Sequence, residues 1–289
     1  RLGPEGEGSS DDRRRRGPLP RPVRTRMNAR TQHRTDAILL RLLDYGESDR
    51  IVTFFTAGFG KVRGIAKGAR RSRKRFANVL EPFCCSHLLF SRRGPESLAL
   101  IESSEVISHF PLIRADLEKT LWASYLIDLT DQFTPDDKKN AAIFALLHDF
   151  LFLIEAHPAA ESILRFFEVR LLKLSGYDPV LDHCLICKKP VGQETLYRFH
   201  AADGGLTCTG CRPGREGIPV SLGTIRTLLL GREAQIERLG SILLSGQSAQ
   251  ESRQLLAHFI RHILGRELKS LHVLNEIRRL YVSGTANGY

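Results

Sequence analysis

The sequence predicts an α+β protein, in which a small closed β-barrel precedes an α-helical bundle that carries an inserted cysteine segment. Three observations lead to this fold class. Five short segments between residues 35 and 110 are rich in branched and aromatic residues, which favour strands. After Phe110 the apolar residues recur at helical spacing. Two CxxC pairs then interrupt the helical pattern between residues 181 and 215.

The barrel is predicted from the composition of its strands and from the turns between them. Turn residues such as Gly46, Gly58 and Gly94 separate the apolar segments. Five closely spaced strands suit a closed barrel better than a sandwich, and a five-stranded OB-fold is the economical choice. OB-folds often bind single-stranded nucleic acid. The predicted strands are residues 37–44, 51–56, 59–67, 79–90 and 97–107.

The helical region is predicted from apolar periodicity and from capping residues. Thr134-Pro135 ends the first long helix, and Asp136-Asp137 is expected to open the next. Gly176 is a predicted C-cap, and Ser248 with Glu251 has the form of a capping box. The predicted helices are residues 117–133, 136–157, 160–175, 221–231, 248–264 and 268–280.

These elements predict the organisation of the whole chain. A tail at 1–34 precedes the barrel domain at 35–110, and a flexible C-terminus occupies 281–289. The helical domain has two parts, 111–180 and 216–280, and the four-cysteine segment at 181–215 is inserted between them.

Positive charge is concentrated near the N-terminus. The net charge is +11, of which residues 1–34 contribute +6 and residues 35–110 contribute +4. This distribution favours a localised anionic partner, the alternative being charges that only aid solubility. Residues 1–34 have few apolar side chains and are expected to be disordered. The only methionine is Met27, so translation is expected to begin there; a genuine basic tail with nonspecific nucleic-acid affinity is the alternative.

The most basic stretch is residues 58–76, GFGKVRGIAKGARRSRKRF. In its first half, cations alternate with small or apolar residues, so one strand face is predicted to point charges outward while the other lets a neighbouring layer approach. The second half has no such order and is predicted to be a flexible basic loop. The cations predicted to bind a polyanion are Lys61, Arg63, Lys67, Arg70, Arg71, Arg73, Lys74 and Arg75.

Aromatic residues near this stretch have two possible roles. Stacking on bases would contribute roughly 1–3 kcal/mol for each ring. More of the rings are nevertheless expected in the core than in contact with bases. The aromatic residues in question are Tyr45, Phe54, Phe55, Phe59 and Phe76.

Four of the six cysteines predict a metal site. Cys184 with Cys187 and Cys208 with Cys211 form two CxxC pairs, and twenty residues separate the pairs. Two such turns can complete a tetrahedral four-thiolate site, which predicts one structural Zn ion; disulfides and metal-free knuckles are the alternatives. The segment has little apolar content, so the metal is expected to supply much of its folding energy. His183 and His200 are not expected to be ligands.

Several further patterns disfavour catalysis and membrane insertion. The adjacent Cys84 and Cys85 are expected in the core, with a catalytic thiol as the alternative, and His258 and His262 lack the Glu of an HExxH motif. Gly60-Lys61 lacks the flanking residues of a phosphate loop, and no carboxylate cluster has the spacing of a two-metal nuclease. No secretory signal and no apolar run of roughly 20 residues is present, which predicts an intracellular protein without a membrane span. The sequence therefore predicts a protein that is not an enzyme.

Four motifs in the barrel region carry a family resemblance. Residues 45–52 (YGESDRIV), 55–60 (FTAGFG), 64–71 (GIAKGARR) and 80–83 (LEPF) resemble the N-terminal domain of bacterial RecO recombination-mediator proteins. The later helices and the four-cysteine segment are similar to the rest of that family, over roughly residues 35–280, whereas residues 1–26 have no counterpart. The resemblance implies an OB-fold domain, a helical domain, a zinc-binding segment and a non-enzymatic role in DNA repair by homologous recombination.

The resemblance also implies partners. RecO proteins bind single- and double-stranded DNA, anneal complementary strands and help load RecA onto DNA coated with single-strand-binding protein, together with RecR and often RecF. The eight cations would then bind DNA in a cytoplasmic, nucleoid-associated protein. An apolar groove rimmed by Arg165 and Lys173 is expected to take the acidic C-terminal tail of single-strand-binding protein. A zinc-ribbon RNA-binding or transcription factor without annealing activity, and a nucleic-acid-modifying enzyme, remain alternatives.

Overall fold

The computed structural model describes residues 30–286 apart from 73, 77, 78, 95, 96, 137, 193, 195 and 215. It confirms the predicted fold class: a five-stranded barrel is followed by helices, a small cysteine-bearing sheet and further helices. The strands are β1 (Thr31–Tyr45), β2 (Asp49–Thr56), β3 (Gly60–Ala66), β4 (Cys85–Arg92), β5 (Ala99–Ser108), β6 (Leu196–His200), β7 (Gly205–Cys208) and β8 (Ile218–Ser221). The helices are α1 (Pro111–Ala115), α2 (Leu117–Phe133), α3 (Ala141–Ala156), α4 (Glu161–Leu174), α5 (Leu222–Glu233), α6 (Ile236–Leu239), α7 (Gly246–Leu264) and α8 (Lys269–Ala286).

Both chain ends differ from the predicted boundaries. Strand β1 begins at Thr31 because residues 31–34 pair with the end of β4. Helix α8 continues to Ala286, beyond the predicted end at residue 280. The predictions about Met27 and the basic tail fall on residues 1–29, which lie outside the described residues.

The barrel closes in the strand order β1-β2-β3-β5-β4, with β4 pairing back onto β1. All neighbours are antiparallel except β3 and β5, which meet in parallel through Gly64 and Ile65. A Cβ atom at Gly64 would lie 2.5 Å from Cδ1 of Ile101, so only glycine lets β5 come this close. The inward face of β3, predicted from Val62, Gly64 and Ala66, is therefore confirmed.

One hydrophobic core spans the junction between the barrel and the helices, and a second one fills the interior of the barrel. Ile38, Phe83 and Cys85 of the barrel region belong to the same buried cluster as residues of the helices α1 to α8. The rings of Phe55 and Phe144 lie 5.9 Å apart across this junction. Burial of large apolar side chains is the main favourable term in folding, so this junction fixes the barrel against the helical domain.

The predicted start of α3 is wrong. Asn140 caps this helix, and its side-chain oxygen accepts a hydrogen bond from the Ile143 N–H at 3.0 Å. Asp136 lies before the helix and pairs with Lys61 of the barrel, with its carboxylate 3.0 Å from the Lys61 Nζ. Asp137 lies outside the described residues. Asp136, which the sequence predicts at the start of α3, is thus held by an ion pair with the barrel instead.

The predicted capping box of α7 is also wrong. Ser245 is the N-cap, and its hydroxyl accepts from the Ser248 N–H at 3.1 Å. The carboxylate of Glu251 instead binds the first turn of α5, where it accepts from the Ser221 N–H at 2.9 Å and from the Thr224 hydroxyl. Glu251 therefore joins two helices that are far apart in sequence.

The cysteine segment is more apolar in its packing than its composition predicts. Strands β6, β7 and β8 form a three-stranded sheet with β6 in the centre. Leu181, Tyr197, Phe199 and Leu206 are buried, and all four belong to the core shared with the helices. Packing against the helical core therefore stabilises the segment in addition to the contribution expected from a metal ion.

Candidate nucleic-acid surface and metal centre

One side of the barrel carries most of the predicted cations on its surface. We call the exposed, described members of this set the basic surface. They follow the outer face of β3 and the loop after it. The basic surface consists of Arg63, Lys67, Arg70, Arg71, Lys74 and Arg75. Arg73 lies outside the described residues.

The loop that carries most of these cations is anchored to the barrel at its two ends. Ala69, Phe76 and Leu80 are buried in the barrel's own core. Asp49 accepts a hydrogen bond from the Gly68 N–H at 2.8 Å. This bond, together with one from the Ser48 hydroxyl, holds the pKa of Asp49 below its usual value. The loop is therefore fixed at both ends while its cations point outward.

Contacts within the loop hold its second half. Arg75 donates from Nη2 to the Lys67 carbonyl at 2.9 Å, and its guanidinium lies 5.2 Å from the centre of the Phe76 ring. The Arg75 carbonyl in turn accepts from the Ser104 N–H of β5 at 3.3 Å. Arg75 thus fixes the shape of the loop as well as adding charge to it.

The acidic neighbours of the basic surface are exposed and form only long ion pairs with it. Arg70 lies 4.0 Å from Asp44, and Arg71 lies 3.8 Å from Glu47. Exposed ion pairs of this kind contribute only about 0–1 kcal/mol. A phosphate group that approaches these arginines can therefore replace the carboxylates at little cost.

Lys61 does not belong to this surface, and the prediction that β3 points it at solvent is wrong. Its side chain is only 10% exposed, and Nζ lies 3.1 Å from Oδ1 of Asp131 and 3.0 Å from Oδ1 of Asp136. The end of α2 covers this part of the outer barrel face. Burial of Lys61 therefore depends on two carboxylates that are 70 or more residues away in sequence.

Arg41 is a cation that the sequence analysis missed. It lies on β1 and forms an ion pair with Asp131, the residue that also binds Lys61. Its sequence context offers a signal, since Arg41 interrupts the apolar run of residues 37–43, AILLRLL. A charged residue in such a strand requires an anionic partner or access to solvent.

The aromatic residues near the basic surface are mostly core, as predicted. Phe54, Phe55 and Phe76 are buried. Phe59 is partly buried, and its ring lies 5.4 Å from that of Phe90. Tyr45 at the end of β1 is 56% exposed. Tyr45 is therefore the ring of the predicted five that is most accessible to a base.

The four predicted cysteines come together in one cluster. The four sulfur atoms all lie within 4.8 Å of one another, and those of Cys187 and Cys208 are 3.9 Å apart. Tetrahedral zinc with Zn–S bonds of about 2.3 Å requires sulfur separations of about 3.8 Å. Cys184 and Cys208 each begin a tight turn, in which their carbonyls accept from the N–H groups of Lys188 and Cys211. The geometry fits one tetrahedral metal ion.

The acidity of the thiols also fits a cation site. Burial opposes ionisation of Cys184, but hydrogen bonds from the backbone of Cys187 and Cys208 lower its pKa to about 6. The neighbouring thiols of Cys208 and Cys187 raise the pKa of Cys211 to about 12. Four thiolates this close repel one another, so a bound cation is what allows all of them to ionise.

The remaining cysteines and the nearby histidines have other environments. Burial raises the pKa of Cys84 to about 11 and that of Cys85 to about 12, which disfavours the thiolate that a catalytic cysteine needs. His183 is hydrogen-bonded to Asp182, and the ring of His200 lies 2.9 Å from the Thr207 hydroxyl. The metal cluster among the described residues consists of the four cysteines.

The predicted basic rim of the tail-binding groove is wrong at Arg165. This side chain is completely buried in α4, where Nη2 lies 2.9 Å from Oε1 of Glu168. Lys173 is exposed but is paired with Glu233 at 2.8 Å. An apolar pocket of about 160 Å³ lies elsewhere, between the end of α7 and the start of α8. It is lined by Ala257, His258, Ile260, Arg261, Arg266, Glu267, Leu268 and Leu271.

Within the part of the chain that the structure describes, no helix has both the length and the apolar character that crossing a membrane requires.

Comparison with known proteins covers most of the chain. A family model described as "Recombination protein O N terminal" matches residues 27–110, and one described as "Recombination protein O C terminal" matches residues 114–272. The two matches meet at the junction between β5 and the helices. They extend the resemblance of the barrel motifs to both halves of the molecule.

Individual relatives agree with the family models. The DNA repair protein RecO of Syntrophus aciditrophicus is 54% identical over 257 residues, which are 88% of this chain and 99% of that protein. The protein of the same name from Geobacter metallireducens is 39% identical over 84% of this chain and 97% of its own length. That from Anaeromyxobacter dehalogenans strain 2CP-C is 37% identical, with 83% and 94% covered.

Proposed function

This chain belongs to the RecO family of DNA repair proteins, which act in recombination, and from that premise we propose that its basic surface binds single- and double-stranded DNA. The observation that carries the proposal is the set of exposed cations on an anchored loop at one edge of an OB-fold barrel. The surface anneals complementary strands, and with RecR the protein helps load RecA onto DNA coated with single-strand-binding protein. RecF is a further partner.

The proposed mechanism is electrostatic and involves no bond chemistry. Two complementary strands repel each other through their phosphates. Cations that neutralise both backbones at once lower this repulsion and let base pairs form. Protein cations that bind phosphates release the counterions condensed on the DNA. The logarithm of the affinity should therefore fall with the logarithm of the salt concentration, and each phosphate contact should contribute about 0.7–0.9 to the steepness of that slope.

The test replaces the loop cations Arg70, Arg71, Arg73, Lys74 and Arg75 with alanine. DNA affinity and the salt slope should both fall strongly, because up to five phosphate contacts are lost. The matched control replaces five cations that are exposed elsewhere: Lys139, Lys189, Arg226, Arg238 and Lys269. Fluorescence anisotropy with labelled oligonucleotides measures both variants. Equal affinity of the loop variant and the wild type would refute the proposed surface.

Annealing is tested separately from binding. Complementary labelled strands coated with single-strand-binding protein are mixed with the protein, with and without RecR, and duplex formation is followed by energy transfer. The wild type should accelerate annealing and the loop variant should not. A protein that binds duplex RNA better than DNA and anneals nothing would support the RNA-binding alternative instead.

The four-cysteine cluster is proposed to hold one structural zinc ion. Cys184, Cys187, Cys208 and Cys211 would occupy all four positions of a tetrahedral ion, which leaves none open for catalysis. Replacing Cys211 with serine should reduce bound zinc to well below one ion per chain, measured by elemental analysis. Cys84→Ser is the control, since Cys84 is buried away from the cluster and should leave the zinc content unchanged.

The tail of single-strand-binding protein is proposed to bind the pocket between α7 and α8. Its apolar lining includes Leu268 and Leu271. Two cations, Arg261 and Arg266, outnumber the one carboxylate of the lining, Glu267, which suits an acidic peptide with an apolar end. Replacing both arginines with alanine should weaken binding of a labelled tail peptide. Replacing the exposed Lys173, the site suggested by the sequence, should not. The opposite result would return the site to α4.

A further inference from the structure

Two arginines lie in one row across the outer face of the barrel. The pairing of β1 with β2 sets Arg41 opposite Thr53, and the pairing of β2 with β3 sets Thr53 opposite Arg63. Neighbouring strands are about 4.8 Å apart, so the backbones of the two arginines are separated by roughly 10 Å. Their long side chains can therefore meet above Thr53.

This row lines a cleft between the barrel and the end of α2. The cleft has a volume of about 360 Å³, and Leu43 and Ile51 extend its floor. Asp131 and Asp136 form the opposite wall. The cleft thus offers arginines to an anionic group and apolar side chains to the part of the ligand beside it, and two carboxylates lie on the side of α2.

The three cations of the cleft differ in how firmly they are held. Lys61 is buried and binds both Asp131 and Asp136. Arg41 also binds Asp131, but its side chain is 58% exposed. Arg63 is exposed, and no acidic side chain among the described residues forms an ion pair with it. Arg41 is open to solvent although its partner Asp131 is only 6% exposed, so an anion in solution can reach Arg41 without entering the buried surroundings of Lys61.

We infer that a DNA phosphate binds in this cleft between Arg41 and Arg63, where it replaces Asp131 as the partner of Arg41. Asp131 keeps its contact with Lys61, so its buried carboxylate is not left without a cation. Arginine suits this exchange because its planar guanidinium binds phosphate oxygens in pairs. Asp131 thereby sets the affinity for DNA, because it competes with phosphate for Arg41. The inference rests on the proposed DNA binding and adds a site outside the loop.

The decisive variant is Arg41→Gln, measured with labelled oligo(dT) over a range of salt. Loss of one phosphate contact on a single strand should lower the salt slope by about 0.7, which corresponds to about fivefold weaker binding at 0.1 M salt. The matched control is Arg34→Gln, which removes an exposed arginine from the same strand and should change neither quantity. Thermal unfolding shows whether each variant is folded.

A second variant tests the competition itself. Asp131→Asn frees Arg41 and leaves Lys61 with the Asp136 carboxylate and the carbonyl of residue 131. It should bind DNA several-fold more tightly, which is the opposite sign to Arg41→Gln. An unchanged affinity of Arg41→Gln, with binding lost in the loop variant, would overturn the inference alone. A wild type that binds no DNA would overturn both it and the proposed function.

Discussion

The arginines of the basic surface and Arg165 of α4 show how differently one residue type is used in this molecule. The loop arginines are exposed, and their carboxylate neighbours lie 3.8–4.0 Å away. Arg165 is completely buried, and its carboxylate neighbour, Glu168, is buried with it at 2.9 Å. The first arrangement leaves charge available to a partner. In the second arrangement, the charge of Arg165 is balanced by Glu168 inside the protein and is not accessible to a partner.

A third group joins the buried pair. The hydroxyl of Tyr125 donates to Oε1 of Glu168 at 2.6 Å, and all three side chains lie between α2 and α4. Burial raises the pKa of Glu168 despite the opposing effect of Arg165, and burial likewise raises that of Tyr125. Such a network stabilises the fold only while every member is present. Substitutions in the two regions should therefore affect different properties.

The largest effect is expected from Glu168→Gln. The variant leaves the Arg165 guanidinium buried without a counter-charge, which should lower the free energy of unfolding by about 3–5 kcal/mol. Denaturant unfolding measures the loss. The control Lys173→Gln breaks the exposed pair with Glu233 and should cost about 0–1 kcal/mol. Similar losses in both variants would mean that burial does not distinguish the two kinds of ion pair.

A somewhat smaller effect is expected from Phe76→Ala in the anchor of the basic loop. Removal of this buried ring should cost about 3 kcal/mol in stability. The freed loop must also be ordered again when DNA binds, so affinity should fall although no charge is removed. The salt slope should stay near that of the wild type, because the number of phosphate contacts is the same. A reduced slope would show that Phe76 acts by placing individual cations.

The smallest effect is expected from Asp49→Asn beneath the loop. The folded-state pKa of Asp49 is lowered, so its contribution to stability is present above the unfolded value of about 3.9. This contribution is lost as the pH falls through the lower, folded pKa. The variant should therefore show a flatter decline of stability in acid, measured by urea unfolding between about pH 2 and pH 5. An unchanged acid profile would remove Asp49 from the loop's anchor.

Local patterns were sufficient to predict much of this structure. The five strands follow from β-forming segments and their turns, and the closed barrel follows from the spacing of those strands. The metal cluster follows from two CxxC turns, because each turn is a local structure. Helix ends at Thr134 and Gly265 were also predictable, since each depends on its own residues. In α4 the C-cap is Ser175, one residue before the predicted Gly176, which follows it with a positive φ.

The errors concern contacts between residues that are distant in sequence. Lys61, Asp136 and Glu251 each bind a partner in another element, and no local rule identifies that partner. Arg165 is the instructive case, because the sequence of α4 gives little sign that this residue is buried. The helix also carries Glu161, Arg170 and Lys173, so its composition does not identify it as internal. The local hint is Glu168, an oppositely charged residue three positions after Arg165.

The core shared by barrel and helices has a consequence for how the molecule unfolds. A fragment that ended at residue 110 would expose Ile38, Phe55, Phe83 and Cys85, which the helices now cover. Such a fragment would tend to aggregate, because the apolar patch that the helices now cover would face water. The barrel and the helical domain should therefore melt in a single cooperative transition, although they form separate parts of the chain.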